Sequence, residues 1–308
     1  MSGGYISLFN ASTVFSDAEL QNALPDFQSQ VSGEFNWYWG FDAYIDINGY
    51  GSPLIIVDLP GPNDPQGALG YHWIDANYQP YAVIFAGLCQ QYGVPITGVI
   101  SHELLEMLAD QLADTCVLYD YGDGYGVIVL QEVCDPVEQN LYYEGPNGNL
   151  VSDFATPAWY APGDPNGPYD FLGVVGGPWQ LASGGYVSYQ VVSLPGWQQA
   201  FGAKAQDEFA KVADALRTRT TSGDARVELI RELRAERGAA VEPREPVPTA
   251  DRRQQPAQQA GKITVVKRKD VPKTPQVGRR GKTQPTTGPA RRAVSGNGPK
   301  VQAIPEKS

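Results

Sequence analysis

The chain has 308 residues and a formal net charge of −11, a length that allows one or two domains. That charge is unevenly shared: residues 1–203 hold 22 Asp and Glu, two His and no Lys or Arg, residues 204–243 hold 8 basic and 8 acidic side chains, and residues 244–308 hold 15 basic against 4 acidic. The three cysteines, Cys89, Cys116 and Cys134, are too few for a disulfide framework. No apolar run reaches membrane-spanning length, and the first residues lack the basic and apolar regions of a signal peptide. The expectation is a soluble protein without a membrane partner, either cytoplasmic or packaged in a particle.

In chain order, Tyr5 to Asn10 reads as a short apolar strand. Ser16-Asp17-Ala18-Glu19 has capping-box spacing, and Leu20, Leu24, Phe27 and Val31 continue it as a helical stripe. Pro25 inside that stripe predicts a kink or a late start. Phe41, Ala43, Ile45 and Ile47 alternate with polar residues, as in a half-buried strand. Leu54 to Val57 is a continuous apolar run that predicts a central strand. Ala68 to Ile74, with Gly67 before it and Gly70 within it, predicts an edge strand, and Tyr81 to Phe85 another strand. Thr97 is the expected N-cap of a helix over about 98–112.

From 115 to 200, short Tyr- and Val-rich strands alternate with turn residues, predicting a β-rich half. Asp120, Asp123, Asp164 and Asp170 lie among glycines and prolines and read as turn residues, with weak Ca²⁺ binding as the alternative. Residues 197–219 and 224–238 have helical periodicity. Beyond about 240 the chain turns to Pro, Gln, Thr, Gly, Lys and Arg and is expected to be disordered. The expected organisation is a folded domain over 1–200, an accessory helical segment over 201–240 and a disordered basic tail over 241–308. The tail's Lys and Arg clusters suit a nucleic acid or another polyanion, or the protein's own acidic domain.

The chemistry concentrates in Ser101-His102-Glu103-Leu104-Leu105-Glu106-Met107-Leu108-Ala109-Asp110. On a helix, His102, Glu106 and Asp110 fall along one stripe with Glu103 beside it. Like charges at that spacing repel, no Lys or Arg within 1–203 can neutralise them, and a bound cation would. The alternative is that Glu103 and Glu106 only favour the positive end of a helix, with His102 a surface residue.

The order strand, helix, strand, strand, edge strand, strand, His-Glu helix is that of zincin metallopeptidases. Four segments, Gly67-Ala68-Leu69-Gly70-Tyr71-His72, Ser101 to Glu106, Glu132-Val133-Cys134-Asp135 and Val151 to Trp159, resemble a group of zincin-like proteins of bacteria and phages over roughly residues 5–200. The resemblance implies an α+β fold: a mixed sheet, a metal-site helix and a β-rich C-terminal half.

Zinc peptidases place two ligands one helical turn apart, with a Glu beside the first as general base. By that pattern the expected ligands here are His102 and Glu106, the expected base is Glu103, and the third ligand is expected from Glu132 or Asp135. One imidazole and two carboxylates form a harder set than two imidazoles, so Zn²⁺ leads while Mn²⁺, Fe²⁺ and Ca²⁺ are alternatives. His72 is the candidate to orient substrate or stabilise an oxyanion, against a structural role on its strand. Eight residues span about 12 Å of helix, which puts Asp110 beyond the ion His102 holds. It is expected to brace a loop or to ligate a second ion. The Trp159-Tyr160 pair reads as core, with a cleft lining as the alternative. The expected activity is a metal-dependent hydrolase acting on a peptide or protein. The alternative is a non-catalytic zincin-fold structural or binding module, such as a virion component, tethered by its basic tail.

Overall fold

The computed structural model describes residues 4–122, 125–161, 166–192, 196–202 and 264–266. The fold is α+β, with a mixed sheet followed by antiparallel pairing. Strand β1 (Gly4–Asn10) leads into helix α1 (Asp17–Gln30). The α1 N-terminus carries the expected capping box: Ser16 Oγ accepts from the Glu19 N–H, and Glu19 reaches back to the Ser16 N–H at 2.7 Å. Pro25 neither delays nor divides this helix, which runs through it and continues as a π-turn over Val31–Phe35 and a short α2 (Asn36–Trp39). The buried Asp26 carboxylate binds the turn before Asn149, accepting from the Asn147 and Asn149 N–H groups at 2.9 and 2.7 Å.

Strands β2 (Ala43–Ile47), β3 (Ser52–Val57), β4 (Gly70–Ile74) and β5 (Pro80–Phe85) complete a five-stranded sheet in the order β2-β1-β3-β5-β4. All its pairs are parallel except β4 with β5. The apolar run Leu54–Val57 is therefore central, and the glycine-flanked β4 forms the edge. Helix α3 (Ala86–Tyr92) follows β5 directly and ends at Gly93, whose φ of 68° suits a residue without a Cβ. Helix α4 (Ile96–Ala109) begins two residues earlier than Thr97 suggests. Pro95 is its cap residue, and the Pro95 carbonyl accepts from the Gly98 and Val99 N–H groups at 3.0 and 3.3 Å. Asp110 closes the helix at its C-terminal end.

The β-rich half contains β6 (Cys116–Gly122) and β7 (Tyr125–Leu130), a 3₁₀ turn over Asp135–Val137, and β8 (Asn140–Glu144) with β9 (Asn149–Ser152). It is completed by β10 (Tyr186–Val191) and β11 (Gln198–Phe201). An antiparallel sheet runs β11-β10-β7-β6. Residues 198–201 thus depart from the helical reading of 197–219: Phe201 stacks on Tyr186 with ring centroids 5.6 Å apart, satisfying this sheet edge. Residues 203–240 of the accessory helical segment lie outside the described residues. Asp170 holds a turn as expected, its carboxylate accepting from the Val174 and Val175 N–H groups at 2.8 and 3.0 Å. Asp123 and Asp164 lie outside the described residues.

Of the tail, only Thr264–Val266 is described, and these residues form a strand, β12, parallel to β8. At these three positions the structure differs from the expected disorder.

One core runs through both halves. Phe154 stacks on Phe171 at 5.4 Å and meets Phe35 edge-on at 5.2 Å, joining the α1 side of the molecule to the β-rich half. Trp159 and Tyr160 are core residues, buried and packed edge-on at 4.7 Å. None of the three cysteines is in a disulfide; Cys89 and Cys134 are buried, whereas Cys116 is exposed. No helix among the described residues is long and apolar enough to cross a membrane.

Candidate metal centre

Helix α4 lies against β4, β5 and β9, so its charged stripe is covered rather than solvated. Glu103 and Glu106 are 5 % and 2 % exposed. That removes the reading in which they only decorate a helix N-terminus, since both lie beyond the first turn and inside the protein. Space for them comes from Gly70 on β4, where an added Cβ would crowd the Glu103 side chain at 3.1 Å.

The opposing wall is the segment Glu132–Asp135, laid over α4 after β7 ends. Three bonds fix it. Gln131 Nε2 donates to the Ala109 carbonyl at 2.9 Å, the Tyr160 hydroxyl donates to the Glu132 carbonyl at 2.9 Å, and the Ala155 N–H donates to the Val133 carbonyl at 2.6 Å. The Cys134 N–H then donates to Glu106 Oε1 at 3.2 Å. Tyr160 is itself held by the Tyr119 hydroxyl, which donates to its carbonyl.

Two groups of side chains converge within this wall. His102 Nε2 lies 3.4 Å from Glu106 Oε1 and 3.3 Å from Asp135 Oδ1. His72, reaching inward from β4, has Nδ1 3.5 Å from Glu103 Oε2 and 3.5 Å from Glu106 Oε2, and Nε2 3.5 Å from Glu132 Oε2. In the sets His102–Glu106–Asp135 and His72–Glu106–Glu132 the ligand-type atoms lie within 4.8 Å of one another, so each could hold a metal ion. Both third-ligand candidates therefore lie at the cluster, Asp135 on the His102 side and Glu132 on the His72 side.

His72 occupies a different place from the substrate-facing one considered for it. It is 1 % exposed and sits beneath the cluster, surrounded by carboxylates. Alternation along a strand tells which residues share a face but not which face is covered, so its burial among acids was not readable from β4 alone. Asp110 also belongs here. Its Oδ1 braces the following loop by accepting from the Thr115 N–H at 2.7 Å, while Oδ2 lies 3.8 Å from His72 Nε2.

Burial and charge pull these groups apart in proton affinity. Burial and the neighbouring Glu106 charge push Asp135 well above the usual carboxylate range. Burial alone would lower His102, but the Glu106 charge and hydrogen bonds to Asp135 and Glu106 carry it well above its ordinary 6.5. Glu106, whose burial acts upward, is held well below its ordinary 4.5 by the two histidines. A metal would therefore have to displace protons from His102 and Asp135.

The sign for stability follows. Above 4.5 Glu106 is ionised in both folded and unfolded chains, so its contribution no longer changes. His102 and Asp135 bind more protons in the folded state, so stability falls as pH rises from 6.5 towards the folded value of His102. The chelated protein is thus expected to unfold at lower urea at pH 8 than at pH 6, and added metal should bind more tightly at pH 8 with proton release. Urea midpoints and titration calorimetry in two buffers check both signs. A chelated protein that is more stable at pH 8 contradicts this electrostatic description.

No protein-family model, curated protein or solved structure matches this chain.

Proposed function

We propose that this protein is a metal-dependent hydrolase of zincin-like architecture acting on peptide or protein substrates. The observation that carries the reading is the meeting of His102 and Glu106 of α4 with Asp135 of the facing segment, in a region devoid of Lys and Arg. The donor set fits a divalent cation, since three ligand-type atoms already lie within 4.8 Å. The leading ion is Zn²⁺, with Mn²⁺, Fe²⁺ or Ca²⁺ compatible with the carboxylate-rich donors.

When bound, the ion supplies Lewis acidity towards a carbonyl oxygen and a water. The remaining work falls to the chain. His102 is the most solvent-reaching of the cluster's side chains, at 15 % exposure, which directs a substrate to the His102–Asp135 side. Glu103 takes up the water's proton as general base and returns it to the leaving amine. His72, 3.5 Å from the Glu103 carboxylate, is a positioning residue that fixes the orientation of that base. Tyr160 and Cys134 hold the Glu132–Asp135 wall in register with α4.

A second reading, a non-catalytic structural or binding module, draws on the depth of the cluster. His72, Glu103, Glu106, Glu132 and Asp135 all have side chains no more than 6 % exposed. One experiment separates the two. The full chain loaded with Zn²⁺ or Mn²⁺ is expected to cleave members of a broad peptide library, and Glu103→Gln to keep its metal while losing about 10²–10⁴-fold in rate. Cleavage by Glu103→Gln at the wild-type rate would remove Glu103 from the chemistry. A metal-loaded wild type that cleaves nothing would establish the module instead.

A further inference from the structure

We infer that the cluster is built for two divalent cations rather than one, with Glu106 as the ligand they share. The outer site is His102, Glu106 and Asp135; the inner site is built about His72 Nε2, with Glu132 and Asp110 3.5 and 3.8 Å from it and Glu106 grouped with His72 and Glu132 within 4.8 Å. The inference rests on the cluster being a metal centre, as proposed above, but not on its being catalytic.

The two oxygens of Glu106 are divided between the two histidines. Oε1 faces His102 Nε2 at 3.4 Å, whereas Oε2 faces His72 Nδ1 at 3.5 Å. Glu106 thus has one oxygen turned to each half, and it belongs to both groups of ligand-type atoms. Each half is compact in itself, with its three ligand-type atoms within 4.8 Å. The outer half has the partly exposed histidine, and the inner half is buried throughout.

Asp110 supplies an independent observation. The residue is wholly buried, and Oδ1 is used by the Thr115 N–H at 2.7 Å. Oδ2 has no hydrogen-bond partner among the described residues and points to the inner histidine, 3.8 Å from His72 Nε2. A buried carboxylate oxygen without a donor is costly, and a cation beside it removes the cost. This placement also answers the distance along α4: Asp110 is too far from His102 to share the outer ion, but it lies beside the inner one.

Charge balance points the same way. Glu103, Glu106, Asp110, Glu132 and Asp135 carry five negative charges when ionised, and residues 1–203 contain no Lys or Arg to offset them. One divalent ion leaves three charges uncompensated, whereas two leave one. The competing occupant is a proton: a doubly protonated His72 could act as the inner cation, donating one N–H to each side.

Metal stoichiometry decides between them without reference to activity. The full chain, stripped by chelation and dialysed against excess Mn²⁺, is expected to retain two ions per chain by elemental analysis. Its low-temperature electron paramagnetic resonance spectrum should show a spin-coupled pair. Glu132→Gln and His102→Ala should each leave one uncoupled ion, the outer and the inner respectively. Asp110→Asn should weaken the inner ion at least about tenfold. Circular dichroism confirms that each variant is folded, and the coupled signal of the wild type needs no variant at all. A wild type that saturates at one uncoupled ion, retained at full affinity in Glu132→Gln, overturns the inference and assigns the inner position to protonated His72. That outcome leaves the hydrolase reading standing, whereas two bound ions without peptide cleavage would do the reverse.

Discussion

Glu106→Gln is expected to abolish the entire dependence of stability on metal. Its two oxygens face both histidines, so no neighbouring carboxylate can take over its position. For the wild type, an ion at a hundredfold excess over its Kd adds about 2.7 kcal/mol to folding. In a folded region of this size that corresponds to a Tm increase of roughly 5–11 °C. The gain should vanish in chelator and be absent from Glu106→Gln at all metal concentrations. Thermal unfolding followed by circular dichroism, with metal and with chelator, reads both results. A variant that gains as much from metal as the wild type would show that Glu106 holds nothing.

The second large effect belongs to the core. Phe154→Ala is expected to destabilise the protein by about 3–5 kcal/mol, because a fully buried ring leaves a cavity that its neighbours can fill only partly. Phe154 touches Phe171, Phe35 and Tyr38, rings from both halves of the molecule. It also adjoins Ala155, whose N–H holds the Val133 carbonyl beside the metal-site wall. The loss should therefore appear twice, as a lower urea midpoint and as weaker metal binding. Tyr78→Ala is the contrast: at 72 % exposure it should change stability by no more than about 0.5 kcal/mol. Equal effects from the two substitutions would mean that the halves do not share this core.

The first half of the fold was legible because its signals are local. A capping box at Ser16, alternation over Ala43–Ile47 and an unbroken apolar run at Leu54–Val57 each report on their own few residues. Misplacements occur where a tertiary partner decides. Thr97 has the right chemistry for a cap, but the Pro95 carbonyl takes the first amide bonds of α4. Pro25 sits inside a helix that persists because α1 is packed on the core and bonded through Asp26 and Gln30 to the β8–β9 hairpin. Residues 198–201 carry a helix-like period, yet they satisfy a sheet edge.

The same division applies to the metal centre. The pairing of His102 with Glu106 is a helix spacing and can be read directly. That Asp135 joins His102 while Glu132 joins His72 depends on how the segment after β7 crosses α4, and no spacing encodes that crossing. Nor did β4 announce which of its faces is covered, so His72 emerged as a ligand-type residue only in three dimensions. One compositional signal did anticipate the whole cluster: 22 acidic residues accompanied by no Lys or Arg over residues 1–203 require another source of positive charge wherever several of them are buried together.

The most direct measurement is X-ray diffraction from crystals of the metal-loaded protein, collected above and below the absorption edge of the bound ion. An anomalous peak should lie between His102 Nε2, Glu106 Oε1 and Asp135 Oδ1, at about 2.0–2.6 Å from each. Crystals grown with saturating metal that give no anomalous peak anywhere among the buried carboxylates, with the histidines held only by protons and water, would contradict the account at its centre.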